Sequence, residues 1–221
     1  LRTGASSFAS AIRRAEVKPW RATGTLAPVN WLAHLLLAPA EPRLRIGNLA
    51  GDFVRGVDLA TLHPAIRAGV WMHRAVDRFV DAHEVVKAAR RWCDGPERRF
   101  AGVLVDVFFD HCLARHWQTY GEGDLAGFAA ARYAELAAHV NDLPPRLRDV
   151  LPWLVAEDWL TAYASDEGLG HILTRMAARS PRRAVLAGAA HVVRRHRAAF
   201  DADFAVLWPE VRAFVAGLPV A

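Results

Sequence analysis

His73, Asp77 and Asp81 recur every fourth residue in the segment GVWMHRAVDRFVDAH (69–83), so on a helix their side chains stack along one line. At about 100° per residue, Val70, Met72, Val76, Phe79 and Val80 form one apolar face, and His73 and Asp77 fall inside it, between Val80, Ile66 and Val70. Arg67, Arg74 and Arg78 gather on the other side. Asp106 and Asp110 repeat the four-residue step in GVLVDVFFDHCLARHW (102–117), with His111 next in the chain and apolar residues around almost the whole circumference. His34 is embedded in NWLAHLLLA, and Asp52 stands between the glycines of GNLAGDFVRG.

Buried carboxylates and imidazoles need a reason. An isolated buried charge neutralises rather than persists, and facing carboxylates raise one another's pKa values unless a cation compensates. A divalent metal resolves that conflict. Mixed imidazole and carboxylate donors suit Mn²⁺, Mg²⁺, Fe²⁺ or Zn²⁺, and the lack of cysteine donors argues against a structural zinc. Such an ion with open coordination positions lowers the pKa of bound water and neutralises charge on a phosphodiester, which is hydrolytic chemistry. One buried histidine alone is ordinarily a core residue bonded to backbone; the inference rests on several polar groups sharing the apolar faces of successive helices. His63, His83, His139, His171, His191 and His196 read as exposed or without a partner at ligand spacing. The Glu-x-x-His signature of ferritin-like di-iron proteins is missing.

The elements that must position these groups are helical. From residue 30 onward the apolar pattern has the helical period, and Pro and Gly divide it into segments near 30–38, 44–55, 64–82, 83–93, 97–119, 124–141, 144–164, 166–179, 182–199 and 201–217. Asn30, Asp124 and Asp166 are expected N-caps, and Pro64 and Pro181 stand where first turns begin. The expected fold is all-α, one compact multi-helix domain.

With 221 residues and 53% hydrophobic content, the chain can build a full core without disulfides. Cys93 and Cys112 are far from any CxxC spacing and read as buried, reduced thiols, consistent with a cytoplasmic protein. The pI of about 9.8 invites a nucleic-acid reading, but residues 1–28 carry Arg2, Arg13, Arg14, Lys18 and Arg21 against Glu16, a net +4 of the total +5. The rest is close to neutral, and no nucleic-acid partner is expected. Residues 1–28 read as a flexible extension, with Val29 as an alternative start, and residues 29–221 as the helical domain. No run reaches the 18 or so apolar residues that span a membrane.

NWLAHLLLA, GNLAGDFVRG, MHRAVDRFVD, LVDVFFDHCLARHW, EDWLTAY and RMAARSPR, in this order, resemble the acyl carrier protein phosphodiesterase family, over essentially 29–217. The resemblance implies an HD-domain-like, Mn²⁺-dependent phosphohydrolase, with Mg²⁺ or Fe²⁺ as alternative ions, that removes 4′-phosphopantetheine from holo acyl carrier protein. It implies that Asp52, His73, Asp77, Asp110 and His111 make up the metal and catalytic site, supported by His34, Asp81 and Asp106. Arg55 and Arg74 are candidates for contacts with the phosphate, and Arg67, Arg74 and Arg78 for docking of the acidic carrier protein. The typical adjacent His-Asp pair is absent, and Asp110-His111 has the reverse order. An HD-like phosphohydrolase acting on a nucleotide or other phosphodiester, and a non-catalytic helical binding module, are the alternative readings.

Overall fold

In the computed structural model, which describes residues 30–219, Pro64 opens the helix that carries His73 and Asp77. Its missing N–H falls where no intrahelical partner exists, and the His63 imidazole accepts from the Ala65 amide at 3.2 Å to cap the same end. The α-helices are α1 (Trp31–Leu37), α2 (Pro42–Ala50), α3 (Pro64–Ala82), α4 (Glu84–Ala89), α5 (Ala101–Arg115), α6 (Trp117–Tyr120), α7 (Leu125–Ala138), α8 (Pro145–Ala156), α9 (Trp159–Ala162), α10 (Asp166–Ala177), α11 (Ala190–Arg195) and α12 (Arg197–Ala216). Short 3₁₀ turns link several of them, and no strand occurs among the described residues. The protein is all-α, around one hydrophobic core. The extension expected over 1–28 lies outside the described residues.

Two glycines set the crossing of α2 and α3. A Cβ on Gly47 of α2 would fall 2.0 Å from the Ile66 carbonyl oxygen of α3, and one on Gly69 of α3 would fall 2.1 Å from the Leu44 oxygen. The two backbones therefore touch, which only paired glycines permit. On α5, Leu104, Val105, Val107, Phe108 and Leu113 are all fully buried, so this helix is central, as its apolar circumference requires.

Several boundaries differ from the sequence reading. Asn30 takes the N-cap position of α1 without a side-chain cap; Asp110, from α5, supplies it by accepting from the Leu32 and Ala33 amides at 2.8 and 2.9 Å. Asp124 caps α7 as expected, through Gly127 N at 2.7 Å, whereas Ser165 caps α10 in place of Asp166, which sits in the first turn. The segment 144–164 is divided at Asp158, a non-glycine residue at φ 45°. The segment 182–199 begins as a 3₁₀ stretch, Pro181–Gly188, and the break expected near 200 falls instead at His196, because α12 runs through Phe200 and Phe204 into the core. Cys93 and Cys112 are free and buried. No helix among the described residues is long and apolar enough to cross a membrane.

Candidate metal centre

The α1–α2–α3 unit brings three chemical groups together. His34 from α1 and His73 and Asp77 from α3 place one donor atom each within 4.8 Å of one another. Among the described residues this is the one group of three His, Cys, Asp or Glu side chains close enough to share an ion. Both imidazoles are buried, and the rings stack with centroids 4.0 Å apart at 26°.

Asn48, fully buried on α2, fixes both rings. Its Nδ2 donates to the His34 backbone oxygen at 2.8 Å, so its Oδ1 is the atom 3.0 Å from His34 Nδ1. An amide oxygen only accepts, and His34 Nδ1 therefore carries the proton. The Asn48 backbone oxygen receives His73 Nδ1 at 2.7 Å, which fixes the second ring in the same sense. Both Nε2 atoms then face Asp77: His34 Nε2 lies 3.2 Å from Oδ1 and His73 Nε2 3.1 Å from Oδ2. Each ring is thus held by an oxygen acceptor behind it with its other nitrogen turned inward, the arrangement found behind metal-bound histidines.

The electrostatics set the protonation of the cluster. Burial opposes charge on His73, but hydrogen bonds to Asp52 and Asp77 outweigh it and raise its pKa to about 10. Burial, reinforced by the His73 charge, lowers the pKa of His34. A neutral His34 turns a lone pair toward a carboxylate oxygen 3.2 Å away, two acceptors face to face. Burial would raise the pKa of Asp77, yet the His34 and His73 imidazoles beside it hold it below the ordinary carboxylate range. A divalent cation, taking the place of the proton on His73 Nε2, satisfies both imidazole lone pairs and the carboxylate together, so the donor set fits a metal.

Asp52, buried in the 3₁₀ turn after α2, stands at the edge of the cluster. Its Oδ1 is 3.4 Å from His73 Nε2 and its Oδ2 accepts from Trp31 Nε1 at 3.2 Å. Trp31 is held between Phe53 and Trp159, at centroid distances of 5.4 and 5.3 Å. Gly51 gives His73 its space, since a Cβ there would fall 2.1 Å from the imidazole ring. Asp106 is half-buried and has no hydrogen-bond partner among the described residues. Burial, then the charges of Asp77, Asp81 and Asp52, raises its pKa well above the ordinary value. With His34 and Asp110 it borders a cavity of about 40 Å³, room for a few waters, walled by Val76, Val80 and Leu207.

Other expected site residues lie apart from this cluster. Asp110 is spent on the start of α1, and burial raises its pKa to about 8 despite those two amides. His111, next to it but on the other side of α5, bonds through Nδ1 to the Tyr163 oxygen at 2.7 Å and has Nε2 3.6 Å from Asp166. Asp81 is exposed and paired with Arg90. Arg55 is exposed beyond the Asp52 turn. Arg74 lies over the Trp71 ring at 5.3 Å, and Arg67 and Arg78 border a groove on the outer side of α3. His34, expected only as a supporting group, is one of the three central donors. Asn48 and Trp31 were not anticipated; the GN pair in GNLAGDFVRG and the W in NWLAH are the only signals of them in the chain.

A family model described as acyl carrier protein phosphodiesterase matches residues 29–211. Curated relatives bearing that same description include one from Serratia proteamaculans, 37% identical over 184 residues, covering 83% of this chain and 95% of the relative. A Yersinia pestis relative is 35% identical over 182 residues, covering 82% and 94%, and a Pectobacterium atrosepticum relative 33% over 184 residues, covering 83% and 95%. No solved structure matches the chain at a significant level. On a match across most of its length, the chain belongs to the acyl carrier protein phosphodiesterase family, a family of phosphodiesterase hydrolases.

Proposed function

We propose that the protein hydrolyses the phosphodiester joining 4′-phosphopantetheine to holo acyl carrier protein, with a divalent ion, Mn²⁺ in first place and Mg²⁺ or Fe²⁺ as alternatives, held by His34, His73 and Asp77. The observation that carries this reading is the pair of imidazoles whose Nδ1 atoms are committed to Asn48 and whose Nε2 atoms converge on one carboxylate. When bound, the ion supplies an activated water and neutralises phosphate charge.

The remaining roles fall to side chains. Asn48 holds both histidines in the tautomer that leaves Nε2 available. Trp31 holds Asp52 through Oδ2, leaving Oδ1 directed at His73 Nε2, where it can orient the ring or add a fourth donor. Asp106, unpartnered beside a small cavity that also touches His34, is the group placed to take a proton from water or return one to the leaving serine oxygen. The apolar walls of that cavity limit competing water.

The test is mass spectrometry of holo acyl carrier protein incubated with the protein and Mn²⁺. Loss of the phosphopantetheine mass, abolished by EDTA and restored by Mn²⁺, is the expected result. Turnover undiminished by thorough chelation sinks the metal role, and absence of turnover with any of the three ions sinks the substrate assignment.

A further inference from the structure

The face of α3 that points away from the metal cluster carries a second feature. Leu44, Ala68, Trp71, Met72, Val215 and Leu218 help to line an apolar groove of about 740 Å³ between α2, α3 and the end of α12. Trp71 is 55% exposed, one of two large hydrophobic side chains left open to solvent among the described residues. Arg67, Trp71, Arg74 and Arg78 follow one another at steps of four, three and four residues, so they form a straight stripe about 16 Å long on one side of the helix. Among the described residues none of these arginines has a carboxylate partner; the one cation contact is Arg74 over Trp71. Among the described residues neither Asp nor Glu lines the groove. An exposed tryptophan beside unpaired arginines over apolar surface is the composition of a binding hot spot, not of a solvated helix face.

We propose that this groove docks an acidic amphipathic helix of the carrier protein, a reading that rests on the function proposed above. The charge selects the occupant. The chain's own residues 1–28 carry a net +4 and are repelled by the stripe. A second copy meeting this face about a two-fold axis brings arginines against arginines. An acidic helix with one apolar face covers Trp71 while its carboxylates reach the three guanidinium groups, and α3 then joins the docked partner on its outer side to the His73–Asp77 stripe on its inner side. Electrostatics of this kind set encounter and orientation, and the buried aromatic sets affinity.

The experiment uses apo carrier protein, which lacks the scissile group, so that binding is read without turnover. Calorimetric titration of the full chain is run at several salt concentrations. Trp71→Ala is expected to weaken binding about tenfold or more, and Arg67→Glu with Arg78→Glu to weaken it further and flatten its salt dependence. Arg194→Glu with Arg195→Glu, the same charge change at exposed positions on α11, is the control and is expected to leave affinity within about twofold. Circular dichroism confirms folding of each variant. Equal affinity in the groove variants and the control overturns the proposal, as does a wild-type dimer in sedimentation that Trp71→Ala converts to monomer, or a gain in affinity on removal of residues 1–28. Turnover of holo carrier protein by the wild type separates the two readings. If it is present while the groove variants bind normally, docking alone falls; if it is absent, the proposed function falls.

Discussion

Asn48→Ala isolates the part of the metal centre that no ligand residue supplies. The substitution removes the amide that accepts from His34 Nδ1 at 3.0 Å and donates to the His34 oxygen at 2.8 Å, but leaves the backbone oxygen that receives His73 Nδ1. Two buried polar atoms lose their partners, each at a cost of about 1–3 kcal/mol, so stability falls by about 2–6 kcal/mol. A domain of this size holds about 5–15 kcal/mol, so the variant stays mostly folded at 25 °C except where the smallest reserve meets the largest loss, and thermal unfolding reads which case holds. The freed His34 ring can then place its proton on Nε2, the atom that must face the ion. Loss of such a supporting partner weakens metal binding about 10- to 100-fold, equivalent to about 1.4–2.8 kcal/mol. The assay is calorimetric titration of chelator-stripped protein with Mn²⁺, paired with thermal unfolding. Leu136→Ala, a fully buried position on α7, serves as a control with a comparable stability loss of about 2–5 kcal/mol and unchanged Mn²⁺ affinity. Wild-type affinity in Asn48→Ala, or an equal loss in both variants, refutes the reasoning.

Other outcomes follow from the same geometry. Asp77→Asn keeps the shape but removes the charge that both imidazoles face, so turnover falls by at least about 10²-fold with helix content unchanged; a large drop in thermal midpoint with turnover per folded molecule retained reverses the assignment. Gly51→Ala places a methyl 2.1 Å from the His73 ring and is expected to weaken Mn²⁺ binding more than Gly170→Ala, where a Cβ meets nothing within 4 Å, and calorimetry of both decides. Burial lowers His111 to about 4 in the folded state against 6.5 unfolded, so the unfolded chain binds more protons between those values. Stability is therefore lost as pH falls from 6.5 to 4, by roughly 3 kcal/mol, and His111→Gln flattens that part of a urea-unfolding profile. A chain starting at residue 29 is expected to fold and turn over holo carrier protein at the full-length rate; a folded but inactive product contradicts this.

Helical period and punctuation made the fold class legible, because α3 and α5 show their apolar faces in the chain itself. The same wheel put His73 and Asp77 on one buried line, and α3 holds them there. It could not separate Asp110 from them. Asp106 and Asp110 share a line on α5, but which neighbour each meets depends on where α1 lands, and α1 lands with its first amides on Asp110. His34 shows the converse: nothing local marks it as central, since its importance comes from the approach of its Nε2 to a carboxylate 43 positions away. Asn48 was hidden for a chemical reason, because an uncharged amide inside a helix carries no pattern until its two partners are known. The break expected near 200 falls at His196, because Phe200 and Phe204 carry one buried helical period across that point and Asp201 between them is paired with Arg115.

The contact between Gly47 and Gly69 has a consequence for how the protein folds. Every group of the cluster lies within one local stretch of chain, and the two glycines lock α2 to α3 inside it. Closing the stretch from residue 34 to residue 77 costs less loop entropy than closing it onto α12, and such contacts form earlier. The His34–His73–Asp77 cluster is thus expected to assemble from a helical hairpin and its leading helix before α12 closes over Val76 and Val80. Hydrogen exchange should find α1–α3 opening as one cooperative unit whose protection rises with bound ion, whereas α12 exchanges independently of it.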